Sequence, residues 1–200
     1  MIRIGIGVEG PSDYTFWNKV LHRHFANSGV LLRISVMHNR SKLIGGAERL
    51  LAAFASTGCA AVFLIVDKDK DPCMASVYDE FPDGFKTRLR DRTKQPACRL
   101  CVADRELESW FLADEEAMRA ALGLADYSVA TGSGKIAGKG KLEKLLFEHA
   151  SPGAAFNEIA FAKQIGALFR PENAARNSAS FAYFWEKLES AIAAAKGGRS

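Results

Sequence analysis

The acids whose spacing suits chemistry lie in three short stretches of the chain. The first, Asp67-Lys68-Asp69-Lys70-Asp71, follows the apolar run Ala61-Val62-Phe63-Leu64-Ile65-Val66 without a break. Such a run, rich in β-branched and aromatic residues, reads as a strand buried on both faces in the middle of a parallel sheet. Asp67 then stands at its carboxyl end, the edge of an open α/β sheet where ligands gather. If the backbone stays extended, Asp67 and Asp69 project to one side and Lys68 to the other. Carboxylates so placed repel unless a cation lies between them, and a hard divalent ion, Mg²⁺ or Mn²⁺, is the kind that takes oxygen donors. The competing reading is a solvated Asp-Pro turn whose charges pair with one another. A calcium loop of the EF-hand type fails, because Pro72 and Tyr78 stand where it needs Gly and Glu. Lys70 after the second aspartate disfavours a haloacid dehalogenase phosphatase.

The second stretch is Glu9-Gly10, after the alternating residues Ile2, Ile4, Ile6 and Val8. Pro11, Ser12 and Asp13 supply helix-start chemistry, and Phe16, Trp17, Val20, Leu21 and Phe25 form the apolar stripe of the helix that follows. Glu9 thus occupies a strand-to-helix turn, where a helix dipole can hold a carboxylate ionised, or where it simply faces water. The third stretch runs from Asp104 to Asp114 and carries Glu106 and Glu108 ahead of Trp110-Phe111-Leu112. It follows a fourth apolar run, Ala97 to Ala103, so its acids reach the same sheet edge. Taken singly, each is equally a helix-start residue favoured by the dipole.

The elements that must position these acids alternate. Strands are expected at residues 2–8, 30–37, 61–67 and 97–103, with helices at 11–25 and 42–55 and partly helical chain from 81 to 94. That is the pattern of a parallel α/β sheet with right-handed crossovers. Beyond it come a helix from Glu115 to Leu122 stopped by Gly123, helices at 142–149, 159–169 and 181–195, and a polar turn, Ala175-Arg176-Asn177-Ser178. The expected division is an α/β domain over 1–115 and a helical extension over 116–200 packed on it, or one compact domain. His149, on an apolar face, is expected in the core.

Composition sets bounds. Two hundred residues, 48% hydrophobic and 25% charged, suffice for one globular domain with a full core, and a net charge of +4 permits an anionic partner without requiring one. Cys98 and Cys101 form a lone C-x-x-C within a strand, where positions three apart face opposite ways, so zinc is not expected and the thiols read as buried and free. With no signal peptide or membrane-length apolar run, a soluble cytoplasmic protein is expected. The glycine-rich segment 128–141 lacks Walker A spacing. Its Lys135, Lys139 and Lys141 either contact a phosphate backbone or belong to a flexible linker.

Together these motifs resemble a known group. Glu9-Gly10, Asp67-x-Asp69 and an acid after the fourth strand resemble the Toprim domain of topoisomerases, DnaG-type primases and OLD-family nucleases. More closely, Val8-Glu9-Gly10-Pro11-Ser12-Asp13, Asp67-x-Asp69, the segment Glu106 to Asp114 and Ala175-Arg176-Asn177-Ser178-x-Ser180-Phe181 resemble the bacterial family called domain of unknown function 4276. The resemblance implies a Toprim-like fold and two Mg²⁺ or Mn²⁺ ions roughly 4 Å apart. It makes Glu9 a metal ligand or general acid/base, and Asp67 and Asp69 metal carboxylates. Glu108 or Glu106 would complete a second site, with Asp13 assisting. The implied activity is phosphodiester hydrolysis of nucleic acid, in phage defence or repair. Phosphates would be met by Lys135, Lys139, Lys141 and Arg176. The alternatives are a partner module of a separately encoded ATPase and a phosphohydrolase of small nucleotides.

Overall fold

The computed structural model describes residues 1–91, 93–129, 138–149 and 157–197. Strands β1 (Ile2–Val8), β2 (Val30–Val36), β3 (Ala61–Asp67) and β4 (Ala97–Ala103) form one parallel sheet in the order β2-β1-β3-β4. Val8 pairs with Val36, Gly7 with Leu64 and Asp67 with Ala103, so all four strands end at one edge. The chain moves outward from β1 to β2, then crosses back to β3 on the other side of β1. The topological switch therefore lies between β1 and β3, which opens a crevice at their carboxyl ends.

Helices cover both faces, as the double-sided burial of β3 demands. One face carries α1 (Pro11–Phe25), α6 (Glu108–Ala113), α7 (Glu115–Leu122), α8 (Lys139–His149), α9 (Glu158–Leu168), α10 (Pro171–Asn177) and α11 (Ala179–Gly197). The other carries α2 (Arg40–Gly45), α3 (Ala47–Ser56), α4 (Met74–Asp79) and α5 (Asp83–Arg90). This is the expected α/β arrangement, a parallel four-stranded sheet between helices followed by a helical C-terminal part. On the first face an aromatic cluster joins α1, α6 and α11. The Trp17 and Trp110 rings meet at 5.7 Å, and Trp110 stacks on Phe184 at 5.6 Å. Cys98 and Cys101 lie in the cores of opposite faces, as their spacing requires.

Helices α1 and α9 run parallel. Ser12 meets Glu158 at their starts, whereas Arg23, near the end of α1, donates to the Ala167 and Phe169 carbonyls that close α9. Gly166 permits the approach, since a Cβ there would lie 3.0 Å from the Phe16 carbonyl oxygen.

Several local expectations are corrected. The helix expected over 42–55 is two helices, because the chain breaks at Gly46. The polar turn 175–178 is the end and cap of α10, a seven-residue helix with no apolar period to announce it. His149 is exposed rather than in the core, since α8 buries only Leu142 fully. Cys73 is exposed, unlike the other three thiols. Among the described residues no helix is long and apolar enough to cross a membrane.

The close seating of α3 on β1 depends on the bare face of that strand. A Cβ on Gly5 would fall 2.5 Å from the Phe54 ring, and one on Gly7 2.6 Å from Leu50. Gly5→Ala should therefore overpack this layer and cost about 1–3 kcal/mol, read as a lower urea midpoint at unchanged m-value. An unshifted midpoint would show that α3 is free to move away.

Candidate active site

The acids of the site come from the end of β3 and from the chain that follows β1, β3 and β4. Glu9 follows β1 and turns its Oε1 to accept the Asp67 backbone N–H at 3.0 Å, bridging the two strands of the switch point. The turn beneath it is fixed by Asp13, whose Oδ2 accepts the N–H groups of Glu9 and Gly10, both at 3.0 Å. Beyond β3 and β4 the two loops stay hydrogen-bonded, Lys68 N to the Ala103 carbonyl and Asp69 N to that of Arg105. Asp69 and Arg105 both take positive φ, 52° and 72°. The left-handed turn at Asp69 ends the extended backbone, so the simple alternation expected for Asp67 and Asp69 does not hold. Asp69 swings to the rim and meets Arg40. Glu108, in the first turn of α6, is 7% exposed.

Electrostatics ties these groups together. Burial is the largest influence on Asp67, and Glu9, Asp13, Glu108 and Asp69 add repulsion, so its carboxyl is held well above the usual range. Burial raises Glu9 to about 7, and Asp13 and Asp69 add to it, although the Asp67 N–H pulls the other way. Burial also raises Glu108 to about 7, with Glu158, Glu106 and Asp13 reinforcing it. Asp13 is raised as well, by burial first. The expected dipole-stabilised, ionised Glu9 is thus corrected, because desolvation and neighbouring acids outweigh the helix start.

Cations stand at the rim rather than among these acids. Arg40 bonds to Asp69, Asp71 and Glu80, and Lys68 pairs with Asp104 at 3.0 Å. The competing view of the 67–71 segment, a turn with paired charges, therefore describes its outer half. Lys139 reaches Glu158 at 2.7 Å, Glu158 accepts from Ser12 at 2.6 Å, and Glu106 accepts the Lys139 backbone N–H. Lys141 is partly buried on α8, and Lys135 lies outside the described residues. Arg176 sits exposed on α10, bonded to Asn173. The sequence held no signal for Arg40 or Glu158, since both reach the site through contacts with residues distant in the chain.

The donors are of the hard oxygen type that Mg²⁺ or Mn²⁺ takes, and a cation among them would relieve their repulsion. As the side chains stand, no three His, Cys, Asp or Glu among the described residues gather around one point.

The remaining motif residues form a latch. Trp110 Nε1 donates to Ser180 Oγ at 2.8 Å, and the same oxygen accepts the Asp104 N–H at 3.3 Å. Asn177 donates to the Ala113 carbonyl, and Ser178 Oγ caps α11 through Phe181 N. Asp114, fully buried, caps α7 through Ala117 N and accepts from Arg170 N and Asn173. The segments 106–114 and 175–181 thus bind each other and hold α6, with Glu108, against the sheet edge.

A four-stranded parallel sheet covered by helices on both faces, with acids along its carboxyl edge, places the chain among the open α/β folds. Within that class the chain belongs to the family described as domain of unknown function (DUF4276), whose model matches residues 8–189. No curated protein matches the chain by sequence. Among solved structures, the C-terminal region of the Burkholderia pseudomallei OLD protein is similar at 14% identity and a TM-score of 0.43, over 94% of this chain and 98% of that one.

Two measurements test the site's physics. Glu108 titrates near 7 when folded against an ordinary 4.5, so between these values the folded chain binds more protons than the unfolded one. Stability must then fall as pH rises from about 5 to 8. Glu108→Gln should flatten that fall and leave the metal-free protein more stable at about pH 8, by on the order of 2 kcal/mol. A wild-type slope in the variant would refute the assignment. For the latch, Ser180→Ala strands the buried Trp110 N–H and should cost about 1–3 kcal/mol in thermal or urea unfolding. No loss would mean that the indole finds another acceptor.

Proposed function

We propose that the protein is a divalent-metal-dependent hydrolase of nucleic-acid phosphodiesters. The observation that carries this reading is the delivery of Glu9, Asp67 and Glu108, three desolvated carboxylates, to one edge of the sheet, with Arg40, Lys68 and Lys139 paired at its rim. Structural stability alone gives no reason to bring them to one edge, since burial raises the cost of ionising each, and Glu9 and Glu108 add to that cost at Asp67. Glu9, Asp67 and Glu108, with Asp69, Glu106 and Asp13 around them, would hold the metal, one ion or two. Bound there, it would supply a nucleophile at neutral pH and offset charge on the leaving oxygen. Glu9, titrating at about 7, can hold a proton or release it at neutral pH, as a general acid/base must. Asp67 is oriented through its own backbone N–H by Glu9.

A second reading has an observation in its favour. Glu9 is spent on the Asp67 N–H and Asp69 on Arg40, so the ligand set is not assembled as it stands. A module that becomes active only on a partner, such as a separately encoded ATPase, would look like this.

Purified protein, alone and with any ATPase encoded beside it, should cleave single-stranded, duplex or RNA substrates only with Mg²⁺ or Mn²⁺. Asp67→Asn and Glu9→Gln should each lower kcat at least about a hundredfold while leaving substrate affinity near wild type. Cleavage by Asp67→Asn at the wild-type rate would overturn the catalytic assignment. Activity that appears only with the ATPase would favour the second reading.

A further inference from the structure

Away from the acids, a cavity of about 490 Å³ opens at the carboxyl end of β2, lined by Met37, His38, Lys42, Gly46 and Arg49 among others. No Asp or Glu lines it, and neither Lys42 nor Arg49 forms an ion pair among the described residues. The contrast is with the cavity of about 590 Å³ at Arg40, where that guanidinium is matched by Asp69, Asp71 and Glu80. The chain has been shaped to leave this space open. His38 turns out of the strand with φ 73°, a conformation uncommon for a non-glycine residue. Met37 packs closely on Gly46 at the base of the cavity, where a Cβ would lie 2.7 Å from Met37 Cε and 2.8 Å from the Lys42 carbonyl oxygen. The acid that faces this region in sequence, Glu48, points away toward α5, within 2.1 Å of where a Cβ on Gly84 would stand.

The cavity adjoins the candidate active site through the sheet itself. Val8 and Val36 are in register, and Met37 N donates to the Val8 carbonyl at 3.0 Å. The cavity therefore begins one strand away from Glu9, and neighbouring strands are about 5 Å apart. Two unpaired cations and an imidazole stand beside the acids, so the sheet edge has a basic half and an acidic half.

We propose that His38, Lys42 and Arg49 form a phosphate-binding pocket, and that it grips the backbone of a nucleic-acid strand whose reacting phosphate lies at Glu9 and Asp67. The proposal rests on the nucleic-acid reading above and deepens it by naming where the strand is held. Lys42 serves as a point charge, Arg49 as a fork that can meet two phosphate oxygens, and His38 as a further donor. Contacts of this kind position a strand without reading its sequence.

The test is equilibrium binding of labelled single-stranded DNA, duplex DNA and single-stranded RNA in EDTA, so that hydrolysis does not enter. The proteins are wild type, Lys42→Gln/Arg49→Gln, and Lys187→Gln on α11 as a control from the opposite face. All three lysines and arginines are at the surface, and matching melting temperatures check that each protein is folded. The double variant should bind at least one of the probes about tenfold more weakly, with the slope of log affinity against log salt reduced by roughly 1.5 to 2. The control should match wild type. That result stands whether or not the wild-type protein cleaves in Mg²⁺. Unchanged affinity and slope in the double variant would overturn the pocket even if wild type proves to be a nuclease, as would the absence of any binding by wild type.

Discussion

Repulsion among desolvated carboxylates is the constraint around which this molecule is arranged. Glu9, Asp67 and Glu108 would each ionise more easily in water, and each is opposed by acids around it: Asp13 and Asp69 at Glu9, Glu9 and Glu108 at Asp67, Glu158 and Glu106 at Glu108. Such a cluster persists only if the scaffold over-determines it. Here the scaffold does so through the backbone: Glu9 accepts from the chain at Asp67, Asp13 clamps the turn under Glu9, and the loops after β3 and β4 continue their ladder past the sheet. Side chains with freedom to choose partners, Arg40 and Lys139, are kept at the margin. The energy that opposes the cluster is met by the packing of α1, α6 and α11, where stacked aromatic rings contribute beyond their buried area.

The motifs that mark the family divide by role. Glu9-Gly10 and Asp67-x-Asp69 stand at the ends of β1 and β3, with Glu9 and Asp67 at the crevice and Asp69 turned to its rim. Most of the residues in the segments 106–114 and 175–181 never reach it. Their polar groups are consumed by one another and by backbone, Trp110 with Ser180, Asn177 with Ala113, Asp114 with Asn173. The most distinctive sequence signature is thus mostly a device for seating one carboxylate, Glu108, with the helix that carries it.

What could be read from the sequence follows from the range of the forces involved. The strands were legible because apolar runs register burial directly, and β4 has the bounds its pattern predicts. The place of Glu9 and Asp67 at the carboxyl edge of the sheet was legible because each stands at the end of an apolar run. Their protonation was not, since burial is a property of the folded surroundings. Nor was the turn at Asp69, where a left-handed residue replaced the alternation of a strand. Arg40 and Glu158 were silent for the same reason: their partners lie 29 and 146 residues away, and no local pattern encodes that. The helix α10 escaped because its seven residues, mostly polar, carry no apolar period. The break at Gly46 was written in the adjacent Gly45-Gly46 pair, and the good helix period on either side concealed it.

The parallel alignment of α1 and α9 has a consequence for the order of assembly. The first strand, its turn and α1 emerge early from the ribosome, yet the partner of Ser12 arrives 146 residues later. Until then the Glu9 turn has Asp13 beneath it and the early strands beside it, but the flank of α1 that α9 covers is open to water. Contacts of such sequence separation form late, because their loop-closure entropy must be met before they contribute. The acidic crevice therefore gains one wall only after the sheet is complete, so a nascent chain carries Glu9 and Asp67 well before it carries the neighbours that surround them.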